Sequence, residues 1–326
     1  MSKSTQYPTS ESIQFLRLPA KQERYAVVIA EPTIAELISA QPNFPLLVKT
    51  PDEPTYEIRA TPNMGLGMFA KRDLKTDELI LSERPVLVYP EGFRSSNPPG
   101  GPNDRWKIGD YRAVYLDSSR INHSCSPNTI ADFDFPSFSF VVRAVREIKE
   151  GEEISTMYCG LAAPKSSRRQ LLAFCMDSCS CSVCTNYATA VASDARRLAI
   201  ASYSEWTVVK YLAAESIDPQ KLLEDMLQCM RNHEDEGLET ALSYPMFLDI
   251  SGRLSGMVGD QKLADTQKEK AHMFSQIRAS YTRAENFVKW LFEPAESMPE
   301  RLGWAVSHSK DFEHMWNIGF RTQVGR

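Results

Sequence analysis

Three cysteines within six residues restrict this chain more than any other feature of its sequence. Cys179, Cys181 and Cys184 form the pattern C-x-C-x-x-C in a polar, serine-rich segment, a setting unlike a core strand. This spacing lets three thiolates surround one ion, and a tetrahedral zinc site then needs one further ligand. Cys125 is the best candidate for that ligand. The alternative is that these cysteines are ordinary small hydrophobic residues.

The other cysteines are less informative. The chain has seven cysteines, an odd number, and four of them fall between residues 175 and 184. Such crowding in a reducing compartment favours metal thiolates over disulfides. We expect Cys159, Cys175 and Cys229 to be core or partly exposed thiols, with Cys175 the one that competes as a metal ligand.

Composition places the chain among globular proteins and weakens two classes of partner. With 326 residues, 42% hydrophobic and 24% charged, it resembles an ordinary protein of about two domains. A net charge of −5 supplies no overall basic field for nucleic acid or an anionic membrane. No run of about 18 apolar residues and no basic-then-apolar leader is present. We expect an intracellular protein in the nucleus, the cytoplasm or both, without membrane or nucleic-acid partners.

The pattern along the chain predicts three regions. Residues 1–50 are expected to form an N-terminal tail and leading segment, and residues 51–186 carry short β-strand runs broken by turns. Residues 187–326 carry apolar residues at helical spacing, which predicts helices over 196–214, 218–233, 238–258 and 261–281. The helix pairs resemble tetratricopeptide repeats weakly, since three repeats of 34 residues cannot be aligned.

Four motifs in order carry a family resemblance. Residues 120–128 read R-I-N-H-S-C-S-P-N, residues 65–70 read G-L-G-M-F-A, residues 152–158 read E-E-I-S-T-M-Y, and the cysteine cluster follows. Together they resemble the signatures of SET-domain protein lysine methyltransferases. The segment S-E-R-P at residues 82–85 is most similar to fungal relatives of the SET-and-MYND (SMYD) branch. We expect no MYND finger in these residues, because no cysteine precedes Cys125.

The resemblance implies a fold and a metal site. The fold would be α+β: a β-rich SET domain of the β-clip type with a threaded pseudoknot, a post-SET zinc site and an all-α C-terminal extension. One Zn²⁺ would be held by Cys125, Cys179, Cys181 and Cys184.

The resemblance also implies a reaction and its residues. The chain would transfer a methyl group from S-adenosyl-L-methionine to a lysine of a histone or other protein, acting as a monomer. Tyr158 would be catalytic, orienting the target amine. The expected cofactor-binding residues are Met64, Gly65, Leu66, Gly67, Asn122, His123 and Phe174.

Two departures from the family pattern keep a second hypothesis open. Positions 175 and 177, where the family usually has an aromatic residue and a phenylalanine, hold Cys175 and Asp177. The chain is therefore alternatively interpreted as a catalytically impaired SET-fold protein that serves as a zinc-stabilised interaction module. Taken singly, Gly65 and Gly67 also fit a plain turn, and His123 and Tyr158 fit ordinary core positions. A nucleic-acid-binding zinc protein has little support, since Arg168 and Arg169 form only a small basic cluster.

Overall fold

A computed structural model shows β-sheets in the N-terminal part of the chain and helices in the C-terminal part. It describes residues 14–19, 26–30, 32–40, 44–62, 64–90, 105–108, 111–134, 136–173, 175–202, 218–241 and 243–277. The strands are β1 (Gln14–Leu18), β2 (Ala26–Ala30), β3 (Tyr56–Thr61), β4 (Gly65–Ala70), β5 (Leu79–Glu83), β6 (Leu87–Pro90), β7 (Arg105–Ile108), β8 (Tyr111–Val114), β9 (Asn122–His123), β10 (Thr129–Asp134), β11 (Ser139–Ala144) and β12 (Glu153–Thr156).

The described strands form three sheets, of which two mix parallel and antiparallel pairs and one is antiparallel throughout. Their orders are β1-β2-β6-β8-β7, β10-β11-β5 and β3-β4-β12-β9. The leading segment adds β1 and β2 to the first sheet, where β2 pairs in parallel with β6. The sequence forms strands for an ordinary reason, visible in β11: Phe140, Val142 and Ala144 are buried while Val141 and Arg143 between them are only partly buried. Successive side chains of a strand point to opposite faces of the sheet, so this alternation buries one face more than the other.

The third sheet positions the candidate site. Strand β12 pairs antiparallel with β4 and parallel with β9, which sets Asn122 opposite Ser155 and His123 opposite Thr156. The pairing extends beyond β9, because the backbone N–H of Ser124 donates to the carbonyl of Thr156 at 3.0 Å. Motifs that are separated in sequence therefore meet in one sheet.

The helices are α1 (Pro32–Ser39), α2 (Lys165–Leu172), α3 (Ser182–Thr185), α4 (Ala190–Ser202), α5 (Pro219–Glu236), α6 (Ser243–Met257) and α7 (Gln261–Ile277). Helix α5 begins as predicted, since the Asp218 side chain accepts the backbone N–H groups of Gln220 and Lys221, with Pro219 at the first position. Such a cap satisfies N–H groups that have no partner within the helix. Helix α6 begins at Ser243 rather than 238, because a turn intervenes at residues 238–241. Helix α4 begins at Ala190 rather than 196. Residues 203–214 and 278–281 of the predicted helices lie outside the described residues.

The C-terminal helices pack on the sheets. One core lies within the sheets, and a second contains Ile130 and Val145 of the sheet region among buried residues of α5, α6 and α7. Gly237 ends α5 with φ of 61°, and a Cβ at this position would overlap Ser126 Oγ. Only glycine suits this contact between the end of α5 and the turn after Cys125. None of the described helices combines the length and apolar character that a bilayer span requires.

Candidate active site and metal centre

Four cysteines lie together where the sheets meet the helices. The sulfurs of Cys125, Cys179, Cys181 and Cys184 all lie within 4.8 Å of one another, and those of Cys125 and Cys184 are 3.6 Å apart. Tetrahedral thiolates about 2.3 Å from an ion lie about 3.8 Å from each other. The donor set and its spacing therefore fit a zinc-type tetrahedral centre, and the group could hold a metal ion.

The thiols influence one another's ionisation. Hydrogen bonds with Cys125 and Cys179 lower the pKa of Cys181 and of Cys184. Hydrogen bonds with Cys179 and Cys181 instead raise the pKa of Cys125. The cluster thus favours the thiolate form at Cys181 and Cys184, and thiolate is the form that binds metal.

The other three cysteines do not join this cluster. Cys175 Sγ donates to the carbonyl of Leu172 at 3.3 Å, so its side chain hydrogen-bonds the end of α2 rather than the other cysteines. Cys159 packs partly buried against the cluster, and burial raises the pKa of its thiol to about 11. Cys229 is buried in the helical core, where burial raises the pKa of its thiol. Among the described residues, Cys125 and not Cys175 therefore completes the set of four.

His123 connects the cysteine cluster with Tyr158. Its Nδ1 accepts the backbone N–H of Tyr158 at 3.0 Å, and its Nε2 lies 3.4 Å from Cys125 Sγ. Because Nδ1 accepts, the neutral ring carries its proton on Nε2, which donates to the sulfur. Burial, assisted by the nearby Arg168 charge, lowers the pKa of His123 to about 4, so the ring is neutral at pH 7.

Tyr158 follows β12 and points back to β9. Its hydroxyl donates to the carbonyl of Ile121 at 2.7 Å, and its ring lies 5.4 Å from that of His123, centroid to centroid. A tyrosine hydroxyl that donates its hydrogen in this way keeps the chemical capacity to act as an acceptor. The predicted catalytic residue is thus fixed at both its backbone and its hydroxyl.

Asn122 lies against the glycine-containing strand β4. Its Nδ2 donates to Glu153 Oε1 at 2.7 Å and lies 3.4 Å from the carbonyl of Leu66. A Cβ on Gly67 would lie 2.7 Å from Thr61, 2.8 Å from Glu153 and 3.0 Å from Asn122. Gly67 is therefore required for the packing of these side chains.

The other predicted cofactor residues in and just before β4 are more exposed than Gly67. Gly65 has φ of +72° with no atom within 4 Å of the place where a Cβ would be, and the side chain of Leu66 is 46% exposed. Met64 donates its backbone N–H to Thr61 Oγ1 at 3.0 Å. This stretch offers an accessible backbone with open space beside it, as a bound cofactor with an amino group would need. The seventh predicted cofactor residue, Phe174, lies outside the described residues.

The departures noted in the sequence have a clear placement. Asp177 is exposed, and Cys175 is partly buried with its sulfur directed to α2. Neither residue is an apolar wall.

The site also includes residues that the sequence did not single out. Glu153 binds the Asn122 amide, and Asn128 Oδ1 accepts the backbone N–H of Ser155 at 2.8 Å. Arg168 and Arg197 are 1% and 0% exposed; Arg197 donates to the carbonyl of Cys125 and Arg168 to that of Ala163. Asn128 belongs to the N-H-S-C-S-P-N run, which is a signal for it; nothing in the local sequence distinguishes the two arginines from surface ones.

Comparison with known proteins shows what this region is similar to. The SET domain family model matches residues 65–159. The histone-lysine N-methyltransferase set5 of Schizosaccharomyces pombe is 27% identical over 180 residues, covering 45% of this chain and 56% of that protein. Human N-lysine methyltransferase SMYD2 is 40% identical over 77 residues, 22% of this chain and 17% of that protein. A variant-silencing SET domain-containing protein of Plasmodium falciparum is 32% identical over 124 residues, 31% of this chain and 5% of that protein.

These matches confirm the resemblance read from the motifs, to SET-domain methyltransferases related to the SMYD branch. The chain spans about half the length of set5 and a smaller share of the other two relatives. The described cluster of four cysteines is compatible with zinc binding.

Proposed function

Because residues 65–159 form a SET domain related to those of the SMYD methyltransferases, we propose that the chain is an S-adenosylmethionine-dependent protein-lysine N-methyltransferase with one structural zinc ion. The observation that carries the proposal is the meeting of β4, β9 and β12 in one sheet. It brings Asn122 against Gly67 of β4 and holds His123 in contact with Tyr158. An accidental set of the same motifs would have no reason to converge.

Tyr158 is the proposed catalytic group. S-adenosylmethionine would supply a methyl group bound to a positively charged sulfur. A neutral amine attacks the methyl carbon in line with the carbon–sulfur bond, whose electron pair stays on the sulfur, so orientation accounts for much of the catalysis. The Tyr158 hydroxyl donates a hydrogen bond to the Ile121 carbonyl, and its oxygen would accept a hydrogen bond from a lysine N–H. His123 fixes the backbone of the same residue.

The accessible backbone of β4 and the Asn122 side chain are the proposed cofactor contacts. Gly65 has open space beside its backbone, and Leu66 next to it is exposed, so a cofactor amino group could approach backbone carbonyls here. Glu153 holds the Asn122 amide in place. Gly67 allows these side chains to pack closely to the strand.

The cysteine cluster is the proposed zinc site. A zinc ion would tie Cys125, two residues after His123, to the segment of Cys179, Cys181 and Cys184. Through His123 the same cross-link would hold the backbone of Tyr158. Loss of the ion is expected to loosen the cofactor site, because binding of a structural metal contributes to folding.

The substrate is proposed to be a lysine-containing protein or peptide, of histone or other origin. The chain is proposed to act as a monomer inside the cell, in the nucleus, the cytoplasm or both. No direct contact with nucleic acid or membrane is proposed.

The test is calorimetric titration of the zinc-loaded protein with S-adenosylmethionine. Wild type is expected to bind S-adenosylmethionine at micromolar concentrations. The affinity of Asn122→Ala is expected to be at least about tenfold lower, since the substitution removes the side-chain hydrogen bonds to Glu153 and Leu66 that order the site. Asn186→Ala, at an exposed position, is the matched control. Transfer of labelled methyl groups to core histones and to a cell-extract protein mixture then tests the reaction.

A second candidate is a SET-fold interaction module without turnover. The exposed Asp177, at a position where the family has an apolar residue, favours it. Absence of cofactor binding by folded wild-type protein would support this candidate and contradict the enzyme. Binding followed by methyl transfer would exclude it.

A further inference from the structure

Arg168 presents an unusual charge in the interior. Its side chain on α2 is 1% exposed, and one guanidinium nitrogen donates to the carbonyl of Ala163. Its Nε is buried and has no hydrogen-bond partner in the part of the chain that the structure describes. A guanidinium stays protonated in proteins, and a buried charge is costly unless an anion accompanies it. The surroundings of Arg168 must therefore supply negative charge.

The carboxylates near Arg168 do not supply enough. Glu236 is 2% exposed, but it already binds Arg197 at 2.8 Å and Arg196 at 2.6 Å. Asp194 lies 3.8 Å from Arg168 and is 32% exposed, so solvent screens it. Glu236 neutralises the other buried arginine and leaves Arg168 without a buried carboxylate of its own among the described residues.

The cysteine cluster is the remaining source of negative charge. Four thiolates around one divalent ion carry a net charge of −2. Arg168 lies next to this cluster, because its guanidinium donates to the carbonyl of Ala163 and the adjoining Ala162 packs against the buried group that contains Cys125 and Cys184.

We propose that Arg168 is the counter-ion of an anionic tetrathiolate metal centre formed by Cys125, Cys179, Cys181 and Cys184. This inference rests on the metal-site part of the proposed function and assigns it a residue outside the ligand set. The guanidinium compensates the excess negative charge on the sulfurs and thereby stabilises the metal-bound form. Lys165, whose ammonium donates to the Cys184 carbonyl at 2.7 Å, adds a second, partly exposed positive charge from the same helix.

The function of Arg168 follows from this charge balance. Removing a positive charge beside the sulfurs leaves the −2 centre partly uncompensated in a low-dielectric interior, so the metal-bound state loses stability. Substitution of residues that contact metal ligands without binding the metal themselves typically changes the metal affinity by about 10- to 100-fold. Arg168 would thus decide how long the centre retains its ion.

The experiment compares zinc release from full-length Arg168→Gln and Arg168→Lys. Glutamine retains hydrogen-bond donors without charge, and lysine retains the charge. Release to excess chelator is followed with a chromogenic zinc indicator, and cobalt-loaded protein provides the sulfur-to-metal charge-transfer bands as a second readout. Arg169→Gln, at the neighbouring exposed position of α2, is the matched control.

Arg168→Gln is expected to release zinc at least about tenfold faster than wild type. Arg168→Lys should release zinc clearly more slowly than Arg168→Gln, and Arg169→Gln should match wild type. If Arg168→Gln does not fold while Arg168→Lys folds and holds zinc, the charge is again the decisive property. Equal behaviour of the glutamine and lysine variants, in folding or in release, would overturn the inference.

The outcomes separate this inference from the proposed function. A wild-type protein that binds no zinc would remove the metal site and the inference with it. Zinc-loaded wild type with unaffected Arg168 variants would overturn the inference alone. Methyl transfer is measured independently and decides neither result.

Discussion

The imidazole of His123 accepts the backbone N–H of Tyr158 at 3.0 Å, across 35 positions of sequence. The opposite side of the ring reaches Cys125 Sγ at 3.4 Å. One neutral side chain therefore connects the proposed metal ligand with the proposed catalytic residue. The backbone of Tyr158 is held by His123, and its hydroxyl is held by Ile121. A substitution that removes only the hydroxyl therefore tests the role of that group without releasing the backbone.

Tyr158→Phe should reduce turnover by roughly 100-fold, the usual scale for a lost hydrogen-bonding group at a reacting centre. The affinity for S-adenosylmethionine should remain within about twofold, because His123 still fixes the backbone, and stability should fall by about 1 kcal/mol for one lost hydrogen bond. Single-turnover kinetics and calorimetry measure the two effects. Tyr244→Phe is the matched control, because it removes a tyrosine hydrogen bond, 2.6 Å to Glu234, in the helical region away from the candidate site. Equal losses in binding and turnover would make Tyr158 a structural residue.

Cys181→Ser should release the metal and lower the melting temperature. Serine does not replace a thiolate ligand at neutral pH, and a structural ion contributes to folding. Elemental analysis should give close to one zinc per wild-type chain and much less in the variant. Cys175→Ser is the control: its sulfur donates to Leu172, so zinc content should not change. Equal zinc in Cys181→Ser and wild type would contradict the ligand set.

Acid should destabilise the helical region through His233. The ring is buried between Tyr244 and Phe247, with Nδ1 2.8 Å from the Cys229 carbonyl, and burial lowers the pKa of His233. A histidine whose pKa is lower in the folded state contributes stability above its unfolded pKa of about 6.5, and this contribution is lost as the pH falls through the folded value.

Urea unfolding at pH 7.5 and 5.5 measures this effect. His233→Phe should lose less stability between the two pH values than wild type does. The control His272→Phe, at an exposed position of α7, should keep the wild-type difference. An unchanged difference in His233→Phe would show that His233 does not carry this pH dependence.

The local motifs allowed much of the site to be predicted. The three-cysteine spacing and Cys125 pointed to one centre, and the four sulfurs do lie together. The order of motifs predicted a SET domain, which the family model matches over residues 65–159. Capping residues marked the start of α5. These signals act within a few residues, where sequence determines local structure most directly.

The supporting contacts required the tertiary structure. Arginine is usually exposed, so no local pattern predicts that Arg168 and Arg197 are buried. The contact of Glu153 with Asn122 depends on the parallel register of β9 and β12, which alternation along one strand does not reveal. From the sequence, Cys175 is an alternative to Cys125 as a metal ligand. Only the structure shows that the Cys175 sulfur donates to a backbone carbonyl at the end of α2.

Arg197→Met should destabilise the protein by about 3–5 kcal/mol, because it leaves Glu236 buried without one of its cations. Arg197 also donates to the carbonyls of Leu161 and Cys125 at 2.7 and 2.9 Å, so it ties α4 and the end of α5 to the turn that carries the proposed ligand. Arg253→Met is the matched control. Its ion pair with Asp249 is exposed and should contribute less than about 1 kcal/mol.

Urea denaturation of the zinc-loaded proteins measures both variants. If the buried pair couples the helices to the metal centre, Arg197→Met should also release zinc faster than wild type at a urea concentration where both remain folded. Glu236→Gln, which removes the charge and keeps the shape, should destabilise in the same direction. A loss below about 1 kcal/mol for Arg197→Met would show that the helices are held by their apolar core alone, through Ile130 and Val145.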